Sequence, residues 1–300
     1  MKDVAEYYPV VCFGEALWDV LPHKIVMGGA PMNVAYHLKK VGESPAIISK
    51  VGLDGTGKAL IEMLEKETIC TDYFQMDFEK DTGKVFVKIK ESNQVLFDIV
   101  YPVAWDFIDW KPELEDLVKR ADYFVFGSLI TRNKPSRDTL FKLLECANVK
   151  VLDINLRPPF YNRTVLEELL SRATILKMSL LELELLTGWF GKYLTIEDRI
   201  NRLKEHFRIE TVIVTLPKNG AVLSTGDGFY AHKGYAADLV DTIGSGDALL
   251  AAIISKLMDR ASPVEVLDYG CRLSALISSY TGACPDYRVG EIMNLTELHV

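Results

Sequence analysis

The stretch ADLVDTIGSGDALLAAIISKLM at 237–258 holds the residues best suited to chemistry. Gly244 and Gly246 let a backbone approach a ligand closely, and the run behind them is apolar nearly all round, so a buried helix is expected to begin at 244–247. The free N–H groups of its first turn, Ser245 included, form an anion site together with the helix dipole. Negative charge developing on a transferring phosphoryl group would be stabilised there. Asp247 stands in the same turn, where the helix N-terminus should lower its pKa and leave it a weak base. Phosphoryl transfer tolerates this, because a loose transition state mostly needs the attacking hydroxyl positioned. The bland alternative is that Ser245 or Asp247 only caps a helix. Two glycines ahead of a buried helix are nevertheless costly unless the backbone needs their freedom.

A second constellation is MGGAPMNVAYHLKKVG at 27–42, where Gly28 and Gly29 precede a helix opened by Pro31 and bearing Asn33 in its first turn. Paired glycines with an inward amide suit a small polyol, whose hydroxyls demand donors and acceptors at short range. Asp19, in GEALWDV, could accept hydrogen bonds from the same ligand. By itself it reads better as a surface carboxylate.

Other motifs are decoys. GLDGTGKA at 52–59 nearly spells a phosphate-binding Walker A loop, but Ala59 sits where a hydroxyl should hold Mg²⁺, so Lys58 reads as a solvated helix residue. GSGDAL at 244–249 lacks the third glycine of a dinucleotide fingerprint and lies far from the N-terminus. The five histidines form no HExxH, and the five scattered cysteines form no CxxC. Free thiols in a reducing compartment are expected.

These residues need a frame. Short β-branched runs (VVCFG, AIISKVG, YFVFG, VKVLDI, ATILKM) alternate with amphipathic stretches at 31–41, 56–67, 135–147 and 164–172. This predicts a mostly parallel sheet with helices on both faces. Residues 83–101 instead alternate with period two around a turn centred on Glu91-Ser92-Asn93, which predicts an antiparallel hairpin serving as sheet edge, dimer arm or lid. Trp105, Phe107 and Trp110 are expected to anchor it to the core. The stretch 262–283 reads as one long helix.

The 300 residues, about half hydrophobic, suffice for a large core, and no apolar run approaches membrane-spanning length. A net charge of −8 without long basic runs argues against nucleic acid as a partner. The opening MKDVAEYY has no apolar signal core, so a cytoplasmic protein that meets neither membrane nor nucleic acid is expected.

In order along the chain, GEALWDVLP (14–22), GGAPMN (28–33), DINLRPPF (153–160), VTLPKNG (214–220) and DTIGSGD (241–247) resemble the signatures of the ribokinase-like, PfkB-type carbohydrate kinases, the first two most like the fructokinase branch. The resemblance implies one domain over 1–300, a three-layer α/β/α fold with a mostly parallel central sheet and a small β-lid. The lid would come mainly from about 83–103, with a contribution from about 15–27. It implies transfer of the γ-phosphoryl group of ATP, with Mg²⁺, to a sugar hydroxyl, fructose first, with ribose, 2-keto-3-deoxygluconate or a nucleoside as alternatives. Asp247 matches the catalytic base, and Gly244, Ser245 and Gly246 the anion hole. Asp19, Gly28, Gly29 and Asn33 match sugar contacts, and Arg157 a group near substrate or phosphate. Thr215 and Gly220 fall in the nucleotide-binding stretch with Gly244 and Gly246, and Glu182 matches an acidic residue near the magnesium. A monovalent cation near Asp241 and a homodimer through the lid are further implications. Three departures bear on this, the smallest being Ser245 for the commoner alanine, which should preserve the turn. Pro217 replaces a usual glycine, removing an N–H near the expected nucleotide, and Ser179 stands at a usual asparagine. A sugar sensor without catalysis is the competing class, against which the intact Gly-Ser-Gly-Asp argues.

Overall fold

The computed structural model describes residues 6–89, 95–217 and 220–295. The expected turn at Glu91-Ser92-Asn93 and residues 218–219 of VTLPKNG lie outside them. Nine strands form the main sheet, in the order β13 (Phe229–His232), β12 (Ala221–Ser224), β11 (Thr211–Thr215), β10 (Ile175–Ser179), β9 (Val149–Asp153), β8 (Tyr123–Gly127), β1 (Val10–Phe13), β4 (Pro45–Gly52), β5 (Phe74–Asp77). From β11 to β5 every pairing is parallel, and β12 and β13 close one edge as antiparallel strands.

Alternate residues of each strand enter different cores, as the pleat requires. Val10 and Cys12 pack with α1 (Ala30–Lys40), α2 (Gly55–Lys66), α8 (Ser245–Met258) and α9 (Pro263–Ser278). Val11 and Phe13 pack on the opposite face with α3 (Pro112–Arg120), α4 (Lys134–Leu144), α5 (Arg163–Leu170), α6 (Leu180–Thr187) and α7 (Ile196–Phe207). Both faces are thus covered, which explains why the strands read as continuous apolar runs. Helix α8 lies between α1 and α9, and this sandwiching accounts for its all-round apolar sequence. The long helix expected over 262–283 ends sooner, at Ser278. There the Ser278 carbonyl accepts the Val240 and Asp241 N–H groups, and the chain turns at Gly282 in a left-handed conformation.

A second sheet of four strands has the order β3 (Ile25–Gly28), β2 (Leu17–Val20), β6 (Gly83–Ile89), β7 (Val95–Ile99). The expected hairpin is therefore not an edge of the main sheet, because β6 pairs in parallel with β2. Leu17, Asp19, Val85 and Ile99 face a cavity between the two sheets, and Trp18, Val20, Lys84 and Phe86 face away. The anchor expected of Trp105 is present. Its ring is fully buried beside Gly83 at the start of β6, with the Arg132 guanidinium 3.9 Å above it. Arg132 in turn donates to both carboxylate oxygens of Asp106 at 2.7 and 2.8 Å.

The Walker-like loop caps α2. Asp54 accepts the Gly57 N–H, and the Lys58 side chain is 78% exposed beside Glu62. If the chain is the kinase that its sequence resembles, Lys58→Ala should therefore leave turnover within about twofold of the parent, since so exposed a charge contributes little. A loss of orders of magnitude in a coupled ADP-release assay would restore the phosphate-loop reading.

Candidate active site

Open α/β sheets take ligands at the carboxyl ends of their strands. Here those ends and the second sheet enclose a cavity of about 310 Å³. The segment after β1 delivers Glu15, β2 delivers Asp19, and the first turn of α1 delivers Gly29 and Asn33. Past β9 the backbone turns through a left-handed Asn155, and Asn155 and Arg157 both line the cavity. Lys177 enters from β10, and Gly244, Gly246 and Asp247 enter from the head of α8. Gly28 does its work by absence: a Cβ there would lie 2.1 Å from an Asp19 carboxylate oxygen.

Gly244 has φ of 79°, and a Cβ there would lie 2.6 Å from the Ala283 Cα, so both conformation and space demand glycine. The helical ladder begins with the Ala248 N–H on the Gly244 carbonyl at 2.9 Å. The N–H groups of the preceding residues have no acceptor within the helix. That of Ser245 turns back to the Thr242 carbonyl, which the Ser245 hydroxyl also meets at 2.9 Å. The Ser245 N–H, expected to be free for an anion, is therefore occupied, and what the turn offers is the N-terminal end of a buried helix.

Asp247 accepts the Asn33 amide Nδ2–H at 2.8 Å, and the Cys284 thiol donates to the Asn33 Oδ1 at 3.3 Å, fixing which way that amide faces. The expectation of a lowered Asp247 pKa is wrong. Burial dominates and raises it, against the opposing pull of the Lys177 ammonium, the Asn33 hydrogen bond and Arg157. Asp247 is thus a stronger base than its place at a helix N-terminus suggested.

Sequence reasoning passed over Lys177 and Glu15. Lys177 Nζ donates to Asp153 Oδ2 at 2.8 Å, and a Cβ on Gly246 would lie 2.9 Å from that ammonium. A buried cation therefore stands directly behind the anion turn. Burial works to lower its pKa, but Asp153 and Asp247 outweigh this and raise it, so it stays charged. A lone lysine inside the apolar run ILKM was the available signal. Glu15 and Asp19 are both pushed up to about 7, chiefly by burial, with Asp247 adding and Arg157 opposing.

These raised carboxyls make an unusual linkage. Between the ordinary carboxyl range and about 7, the folded chain holds more protons at Glu15, Asp19 and Asp153 than the unfolded chain does, so stability falls as pH rises through that window. His37, lowered to about 4 by burial, works in the opposite direction over its own window, as one group against three. The ligand-free protein should be more stable at pH 6 than at pH 7.5 by on the order of 1–2 kcal/mol. Melting curves at the two pH values check this, and Glu15→Gln should flatten the difference. A higher midpoint at pH 7.5 would contradict the raised carboxyls.

The remaining expected residues do not line the cavity. Thr215 ends β11, level with Ser179 on β10, and Gly220 closes the following turn with its carbonyl on the Leu216 N–H at 2.7 Å. Glu182 is occupied as a brace: Oε1 accepts the Leu156 N–H at 2.6 Å, and Oε2 accepts the N–H and hydroxyl of Ser179. Asp241 holds the N–H groups of Ile243 and Gly282. Among the described residues no group of three or more His, Cys, Asp or Glu is placed to hold a metal ion. A magnesium ion carried on nucleotide phosphates needs no such cage.

The family description "pfkB family carbohydrate kinase" matches residues 11–288. A probable fructokinase-2 of Arabidopsis thaliana is 28% identical over 92% of both chains. An ATP-dependent 6-phosphofructokinase of Thermoanaerobacterium thermosaccharolyticum is 30% identical over 93% of this chain and 90% of its own. Among solved structures, an uncharacterized sugar kinase of Pyrococcus horikoshii superposes with TM-score 0.81 at 27% identity, covering 95% of this chain and 96% of its own. The fructokinase of Vibrio cholerae with fructose, ADP and calcium bound superposes with TM-score 0.81 at 23% identity, covering 97% and 99%. Fold, cavity and relatives agree: the chain belongs to the pfkB family of carbohydrate kinases.

Proposed function

We propose that this kinase transfers the γ-phosphoryl group of Mg-ATP to a hydroxyl of an unphosphorylated sugar, fructose being the first to test, with Asp247 as the base. One observation supports the reading: Asp247, oriented by Asn33, stands in the first turn of a buried helix, inside the cavity that also receives Asp19 and Arg157. Asp19, Arg157 and Asn33 would hold the sugar hydroxyls. Asp247 would take the hydroxyl proton as the oxygen attacks, and the turn at Gly244, Ser245 and Gly246 would meet the transferring group. The nucleotide would lie from that turn toward Thr215 and Gly220, with Mg²⁺ carried on its phosphates and Glu182 bracing the loop nearby.

The charge balance of the cavity favours a neutral sugar over a sugar phosphate. Glu15, Asp19 and Asp247 face Arg157 and Lys177, and Lys177 is already paired with Asp153. A substrate dianion would compete for those two cations with three carboxyls, of which Glu15 and Asp19 are pushed up to about 7 and so repel it more as pH rises. Fructokinase relatives support fructose itself. The outward Ile25 and Phe86 of the second sheet, both exposed, support a homodimer through that sheet, which sedimentation would test. The function itself is tested by ADP release with Mg-ATP across fructose, ribose, 2-keto-3-deoxygluconate, a nucleoside and fructose 6-phosphate. Turnover only with fructose 6-phosphate would sink the neutral-sugar reading. Binding of one sugar without any turnover would leave a sensor.

A further inference from the structure

Helix α1 does more than present Asn33. Its residues Asn33, Tyr36, His37 and Lys40 recur at helical spacing on one face, and each grips the segment that follows α9. Asn33 receives the Cys284 thiol, Tyr36 donates to the Pro285 carbonyl at 2.8 Å, and Lys40 pairs with Asp286 at 2.8 Å. His37, wholly buried, meets the Ala283 carbonyl through Nε2 at 2.9 Å and the Tyr287 hydroxyl through Nδ1 at 3.2 Å. A carbonyl can only accept, so Nε2 carries the proton and Nδ1 accepts from Tyr287. Burial keeps this imidazole neutral, against the hydrogen bond to Ala283 and with help from the Lys40 charge.

Ala283 is where this grip reaches the chemistry. Its Cα and carbonyl oxygen lie 2.6 and 2.9 Å from where a Gly244 Cβ would be, so the segment is flush against the residue that opens the anion turn. Its neighbour Gly282 donates to Asp241, at the start of the same turn, at 3.1 Å. The helix that orients Asp247 through Asn33 therefore also fixes the backing of the anion turn through His37.

We propose that His37 is a positioning residue for phosphoryl transfer: its Nε2–H, held on the Ala283 carbonyl, keeps the 282–286 segment seated against Gly244, so that the anion turn stays in register with the sugar held by the same helix. The inference rests on the reading of 244–247 as the transfer site. Its failure and that reading's failure are separated by including Asp247→Asn. An Asp247→Asn protein that keeps its turnover removes the site reading, whereas an inactive one beside an unaffected His37 variant removes only this proposal.

His37→Leu keeps the bulk and loses the donor. With Mg-ATP and fructose, or whichever panel sugar turns over, it should lower kcat by about tenfold or more while the sugar KM stays within about threefold, because misplacing the anion turn harms the transition state more than the bound sugar. His37→Gln, which can return an N–H to the carbonyl, should recover most of the loss, and His37→Asn, too short to reach, should not. Nitrogen NMR of the parent should show the Nε2–H tautomer, neutral at pH 6. A folded His37→Leu protein with kcat within twofold of the parent overturns the proposal, as does an Nδ1–H tautomer. Should His37→Leu fail to fold, equal kcat for the Gln and Asn variants overturns it as well. A purely structural role would lower thermal stability in all three variants without separating kcat from KM.

Discussion

Asp247→Asn should give a folded protein whose kcat is down by about a thousandfold, the range that loss of a positioned base produces. The substitution conserves size, and the new side-chain oxygen can still accept the Asn33 Nδ2–H that now lies at 2.8 Å. It also removes a carboxylate that is costly to bury, so thermal stability should not fall by much. What disappears is the proposed proton acceptor, in the turn proposed to meet the phosphoryl group. A thousandfold corresponds to about 4 kcal/mol of transition-state stabilisation. Because Asp19 and Arg157 remain, sugar binding measured by calorimetry should change by no more than a few fold. In the parent, kcat/KM should rise with pH as the raised Asp247 ionises, and the variant should lose that limb. A variant within tenfold of the parent would move the base elsewhere in the cavity, Glu15 being the next carboxyl to test.

The contrast between what was readable in advance and what was not follows from physical range. The head of α8 was legible because its signal is local: two glycines, an aspartate and an unbroken apolar run in adjacent positions. The meeting of Asp19, Asn33, Arg157 and Asp247 in one cavity was legible only through resemblance, since these residues are joined by sheet topology across most of the chain. The direction of the Asp247 shift was misread for the same reason. A helix N-terminus is visible in sequence, whereas the burial that overrides it depends on α1 and on Cys284, far along the chain. The end of α9 was misplaced because apolar spacing continues past Ser278, while the carbonyl that stops the helix is claimed by Val240 and Asp241 from another segment. Lys177 was missed because its partner is set by strand register. Lys177 lies opposite Asp153 in the β9–β10 pairing, and no spacing rule within either strand announces it.

Lys177 carries the second large effect. Its side chain and that of Asp153 are 9% and 4% exposed, and Asp153 Oδ1 has no hydrogen-bond partner among the described residues. Removing the cation alone strands a buried carboxylate, so Lys177→Met should cost about 3–5 kcal/mol of stability near pH 7.5. The cost should shrink as pH falls toward about 6, because without Lys177, which holds its pKa down, Asp153 takes up a proton at higher pH than in the parent, and it should level off once both proteins carry that proton. Asp153→Asn combined with Lys177→Met leaves no unpaired charge and should regain most of the stability. Activity should behave differently. The ammonium sits directly behind Gly246, so on the proposed mechanism its loss removes a fixed positive charge from the turn assigned to the phosphoryl group, and kcat should fall by about 10²–10³ in both the single and the double variant. Denaturant melts and steady-state kinetics on the four proteins of this cycle separate the two roles. A double variant that regains both stability and turnover would make Lys177 a strut for the sheet and nothing more. One that regains stability alone places it in the chemistry.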